Sequence, residues 1–173
     1  MWFLLTFGAW LFVKYSRDFA AVKYADLLWP GRWPQYRVSQ GNHYIGQGET
    51  LLREGEYSIA LHKLRVGVGK APANGQGRTL LARVYLAYGR PDLAKEVLLS
   101  GLDYLRDDPA YLQSALAFLL EFQEDAQLRE ITRGLLAAPS SPATQPLVAT
   151  YAATAAYHRG NYDEAEELIE RHR

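Results

Sequence analysis

The sequence predicts an all-α chain in which paired helices recur in series, and three observations carry that class. Apolar residues in "LLARVYLAY" and "YLQSALAFLL" return at helical spacing, not in the alternation of a strand. A turn glycine is followed five residues later by alanine in "EGEYSIALHKL", "YGRPDLAKEVL" and "RGNYDEAEELI". The first two of these glycines, Gly55 and Gly89, stand 34 residues apart. Another step of 34 lands on Gln123 in the polar break "FQEDAQ", and a last step of 37 reaches Gly160. The extra residues of that last step fit best in the Pro/Ser-rich "APSSPATQP".

The chain begins with a run, Trp2 to Val13, that carries no charge. About 20 helical residues are needed to cross a bilayer core, and this run is shorter. Lys14, Arg17 and Asp18 follow it at once, and Trp2, Trp10 and Tyr15 suit an interfacial belt. Residues 1–29 are therefore expected to be an apolar helix, read first as a membrane anchor and otherwise as a helix packed on the body of the protein. A secretory signal fits less well, because no basic stretch precedes the run and no small-residue cleavage site follows it. For an anchor, Lys14, Arg17 and Lys23 on its C-terminal side would place the repeats in the cytoplasm; a periplasmic or soluble location is the alternative. Pro30, Gly31 and Pro34 break the helix, so 30–40 reads as a Pro/Trp-rich joint.

From residue 41 on, helices are expected near 41–54, 57–70, 75–88, 91–105, 109–122, 125–137, 144–158 and 162–173. Glycine at 55, 89 and 160 takes the positive φ that ends a helix. Asp108 before Pro109 reads as a cap followed by a first-turn proline, and Asn161 with Glu164 has capping-box spacing. Small residues at Gly48, Ala60, Ala82 and Ala94 suit the close approach of two helices in a hairpin.

These residues resemble the tetratricopeptide repeat, a helix-turn-helix unit with a period of 34. In the first unit Tyr44, Gly48, Gly55, Tyr57, Ala60, Leu64, Gly67 and Pro72 fall on the family's positions. Ala82, Tyr85, Gly89, Ala94, Leu98 and Gly101 do so in the second, and Ala153, Gly160, Tyr162, Ala165 and Ile169 in the fourth. The third departs from the pattern, with Leu116 at a small site, Gln123 for glycine and Leu128 for alanine. The resemblance implies units at 41–74, 75–108, 109–143 (degenerate) and 144–173 (incomplete). It further implies a right-handed superhelical solenoid of about four units after an N-terminal hydrophobic helix. It also implies a non-enzymatic scaffold whose first helices line a concave groove for a peptide or partner protein. Carried over unit by unit, the groove positions are Asn42, Ile45, Glu49, Leu52 and Arg53; Gln76, Thr79, Arg83 and Leu86; Gln113, Ala117, Leu120 and Glu121; and Thr150, Thr154 and Tyr157. Asn42, Gln76 and Gln113 are expected to bond the backbone of an extended peptide.

Composition narrows the alternatives. Lys plus Arg and Asp plus Glu are 19 each, without the basic excess that nucleic-acid binding draws on. The chain has no cysteine, which removes disulfides and thiolate metal sites. The Gly/Lys run "RVGVGKAPANGQGR" is no phosphate loop, because Leu64 occupies the first glycine site and Ala71 the Ser/Thr site. His43, His62, His158 and His172 lack metal-ligand spacing, and no nucleophile elbow occurs. No cofactor, metal or catalytic role is expected. The sequence stops inside the last helix of the fourth unit, which suits either further repeats, a catalytic remainder beyond residue 173 that this domain recruits or regulates, or self-association through the solenoid ends.

Overall fold

The computed structural model describes residues 2–16, 24, 30–137, 141 and 143–171. Among them every regular element is helical. Helix α1 is Trp2–Leu11, followed by a π turn at Phe12–Ser16. A 3-10 turn at Pro30–Arg32 leads into α2, Trp33–Arg53. Then come α3 (Tyr57–Lys70), α4 (Gly75–Ala87), α5 (Pro91–Leu99), α6 (Leu102–Leu105), α7 (Pro109–Glu121), α8 (Asp125–Ala137), α9 (Gln145–His158) and α10 (Tyr162–Arg171).

The expected period is visible in individual hydrogen bonds. At the first turn Glu56 N–H donates to Leu51 O at 2.9 Å and Gly55 N–H to Leu52 O at 3.3 Å, the paired bonds of a Schellman motif. The same pair recurs from Arg90 to Tyr85 and Gly89 to Leu86, from Glu124 to Leu119 and Gln123 to Leu120, and from Asn161 to Ala156 and Gly160 to Tyr157. In each case the residue after the turn residue starts the next helix, its carbonyl accepting from Ala60, Ala94, Leu128 or Ala165. The turn residue has positive φ throughout: +83° at Gly55, +67° at Gly89, +79° at Gly160 and +56° at Gln123. Gln123, a residue with a Cβ, thus adopts the conformation that glycine supplies in the other three units.

The chain divides into two compact units, Met1–Val84 and Tyr85–Arg173. In the first, α2 packs along α3. The approach is close because both helices carry glycine at the crossing. A Cβ on Gly67 would stand 2.7 Å from Ile45 Cγ1 and 2.9 Å from Gly41 O, and one on Gly41 would stand 2.7 Å from the backbone N of Ala71. Leu64 lies over Gly48 and is fully buried, as is Ala60. In the second unit α9 packs against α7, α8 and α10. Leu112, Leu116 and Leu119 of α7 and Leu128 of α8 are fully buried. Helix α9, packed on α7 and α8, buries Val148, Ala149, Ala152 and Ala155, while Ala153 and Ala156 cluster with Ala165 of α10. The leucines at the third unit's small sites are therefore accommodated by an alanine-rich neighbour, which keeps the core volume filled.

The structure differs from the sequence expectation in three places. The joint at 30–40 is largely helical, since α2 starts at Trp33 with Pro34 in its first turn, where proline's missing N–H costs no hydrogen bond. The helix expected over 91–105 is two helices, broken at Ser100 and Gly101. At the N-terminus α1 has ten residues, and no helix of the described residues is long and apolar enough to cross a membrane. The anchor expected over 1–29 is thus not supported as a spanning helix, and most of 17–29 lies outside the described residues.

Candidate partner-binding surface

Hydrogen bonds tie the expected groove positions Asn42 and Glu49 of α2 to Asn74 and to Gln76, an expected groove position of the next repeat. Asn74 Nδ2 donates to Asn42 Oδ1 at 2.9 Å, and Gln76 Nε2 to Glu49 Oε2 at 3.3 Å. The other oxygen of Glu49 pairs with Arg53 Nη2 at 3.2 Å. Glu49 is therefore held between α2 and the start of α4, each oxygen with its own donor. Asn42 keeps its Nδ2 donor and Gln76 its Oε1 acceptor, the two groups an extended backbone needs. Leu52 and Thr79 are half-buried, and Arg53 and Arg83 are exposed. Two arginines against one glutamate leave this face with an excess of positive charge.

Ile45 does not belong to that face. It is buried, with Cγ1 and Cδ1 filling the space left by Gly67 and Gly77. The repeat register placed it among groove positions, but glycine on two neighbouring helices turns it into a core knob.

In the second unit Leu86, Ala117 and Leu120 are half-buried, and Gln113, Glu121, Thr150 and Tyr157 are exposed. The two threonines offer less than their type promised. Thr150 Oγ1 donates to Pro146 O and Thr154 Oγ1 to Thr150 O, both at 2.8 Å, so each hydroxyl proton is used by its own helix. Tyr157 stands edge-on to Tyr162, centroids 5.1 Å apart.

Sequence reading missed two polar groups. On α2 and α3, Lys63 Nζ donates to Gln47 Oε1 at 2.9 Å and Gln47 Nε2 lies 3.0 Å from His43 Nε2. They border a cleft of about 620 Å³ that also touches Leu51 and Ile59. On α8 and α10, Arg129 donates to both oxygens of Glu164 at 2.9 Å. Those hydrogen bonds from Arg129 hold the Glu164 carboxyl below the usual carboxylate range. The pair edges a cleft of about 410 Å³ lined by Arg133, Leu136, Leu168 and Arg171. Arg129 and Glu164 stand 35 residues apart, close to one repeat length, and that spacing was the available signal.

The Gly/Lys stretch falls where the repeat register put it. Arg65–Lys70 is the end of α3, and Gly75–Arg78 opens α4. Asn74 Oδ1 accepts from Gly77 N–H at 2.7 Å, and the buried Arg78 donates through Nε to Pro72 O at 2.6 Å.

The tetratricopeptide repeat family model matches residues 51–118. That span takes in the first turn, the whole second hairpin and most of α7. No curated protein matches the chain. Among solved structures, one from a functional characterization of Pseudomonas aeruginosa pilF aligns with a TM-score of 0.55 at 20% identity, over 79% of this chain and 61% of that one. This chain thus spans less than two thirds of that structure. At such identity the likeness shows fold alone, the serial helix pairs of an α solenoid.

Proposed function

We propose that the protein is a non-enzymatic interaction scaffold that holds an extended peptide or partner segment against α2 and α4. The observation that carries this reading is the Asn42–Asn74 and Glu49–Gln76 ladder. It leaves one amide donor on the exposed Asn42 and one amide acceptor on the exposed Gln76, with Arg53 paired to Glu49 and Arg83 exposed on α4. Amides set in this way suit a peptide backbone, and the arginines suit a carboxylate on it. Each backbone bond contributes about 0.5–1.5 kcal/mol net and a charge-assisted one about 1.5–3, so two amide contacts with one arginine contact give weak binding, around millimolar.

The test is recovery of the native partner on immobilised protein. Arg53→Ala with Arg83→Ala is expected to lower recovery at least about tenfold, as loss of charge-assisted bonds does. Undiminished recovery would remove this face from the interaction.

A second reading concerns α1, where Leu4, Leu5, Phe7, Leu11 and Phe12 are exposed and Lys14 lies 4.8 Å from the Trp10 ring. We propose that this helix lies on a membrane surface, with the repeats on the cytoplasmic side. Membrane fractionation with and without residues 1–29 tests the contact, and protease accessibility in sealed vesicles tests the side.

A further inference from the structure

The cleft between α8 and α10 lies within one compact unit. Both helices pack on α9, whose buried Ala152 forms the floor. Side chains bridge the two walls, because Arg129 of α8 donates to both oxygens of Glu164 of α10. Four residues on from that bridge are Arg133 and Leu168, and seven on are Leu136 and Arg171, so each wall presents a single helical face. Leu168 packs against Ala153, Ala156 and Ala165, which holds the apolar side of the cleft in place. Walls and floor are thus complete within residues 125–171.

Three arginines and two glutamates line the cleft, which leaves one positive charge in excess. Both acids are engaged, Glu164 by Arg129 and Glu167 by Arg171. Arg133 forms no ion pair among the described residues, and its charge acts on Glu164 through space rather than through a hydrogen bond. Its planar fork of donors matches a carboxylate. Beside it Leu136 and Leu168 are half-buried and offer an apolar surface. The cleft holds about 410 Å³, a size suited to a small molecule. From Arg129 to Leu136 it runs about 10 Å, at ~1.5 Å per helical residue.

We infer that this cleft binds a small monocarboxylate with a compact apolar body, such as an aryl or branched-chain acid. The carboxylate sits on Arg133 and the body lies over Leu136, Leu168 and Ala152. One unpaired guanidinium answers one negative charge. A phosphate dianion would need a second cation, and Arg129 and Arg171 are already taken by the glutamates. The site lies between the second helices of two successive hairpins and is separate from the α2–α4 face.

Titration of the full chain with phenylacetate tests it, read from the NMR methyl signals of Leu136, Leu168 and Ala152. Saturable shifts of those methyls are expected. Phenylacetamide lacks the charge and acetate lacks the apolar body, and each is expected to bind about tenfold more weakly. Arg133→Gln alters an exposed side chain and is expected to weaken phenylacetate about tenfold. Glu167→Gln removes one negative charge from the lining and is expected to tighten it about two- to threefold. Circular dichroism checks that both variants stay folded. Arg53→Ala with Arg83→Ala is expected to leave this binding unchanged, which separates it from the α2–α4 face. No saturable shift at these methyls, equal binding of phenylacetamide, or undiminished binding by Arg133→Gln overturns the inference. So does a leucine-terminated peptide that binds more tightly than phenylacetate while its C-terminal amide does not, since the occupant is then a chain terminus.

Discussion

Gln123 is the residue where local conformation and side chain disagree most. Its φ of +56° is imposed by the Schellman bonds of the third turn. A left-handed residue with a Cβ costs about 1–2 kcal/mol, and glycine's extra unfolded-state entropy offsets part of the relief. Gln123→Gly is therefore expected to stabilise the protein by about 0.5–1 kcal/mol, read from the midpoint of urea unfolding. Gly67 is the converse case. Its missing Cβ is what lets α3 approach Ile45 and Gly41 O, so Gly67→Ala must separate the helices. A loss of about 1–3 kcal/mol in the same assay is expected. Sequence spacing alone located both positions. The burial of Ile45 was not legible, because it depends on two glycines from other helices meeting at one point.

At the scale of helices, capping and pairing decide the ends and the partners. Asp108 Oδ1 accepts from Ala110 N–H at 3.0 Å and Tyr111 N–H at 3.1 Å ahead of Pro109, as its sequence position foretold. Asp108→Ala is expected to cost about 1 kcal/mol of stability. The capping-box spacing of Asn161 and Glu164 took a different form. Glu164 is occupied mainly by Arg129, with Asn161 Nδ2 at 3.3 Å. Because Arg129 depresses the folded pKa of Glu164, the pair's stabilisation is complete above the ordinary glutamate pKa and fades as pH falls through the lower folded value. Both side chains are about a third exposed, so solvent screening limits the pair to about 0.5–1 kcal/mol. Glu164→Gln should remove that much at pH 7 and flatten the acid limb below about pH 4.3, measured by thermal unfolding against pH. Helix starts such as Trp33 were harder to place, because proline both stops one helix and opens another. The break at Ser100 and Gly101 went unread because the apolar period continues across it.

For the molecule as a whole, each unit holds its own core, and burial is uneven within each. In the second unit α7 carries six buried residues and α10 only Ala165. Amide hydrogen exchange should therefore be fastest in α10 and slowest in α7 and α9. Uniform protection across α7 to α10 would contradict that ordering. The class, the turn positions and most helix bounds were legible because they rest on local chemistry with a fixed period. The binding surface was less legible. Its outward groups depend on which amide or hydroxyl a neighbour has already taken, as at Gln76, Thr150 and Thr154.

The four reversals are closed by main-chain bonds spanning no more than six consecutive residues. Nothing distant in the chain is needed to form them, so loop-closure entropy stays small and contact order low. During synthesis, each turn can form once its own stretch has left the ribosome, and each pair of helices is stabilised as its neighbour emerges and packs on it. The nascent chain then acquires its shape in instalments, keeping apolar segments out of reach of aggregation while the remainder is still being translated.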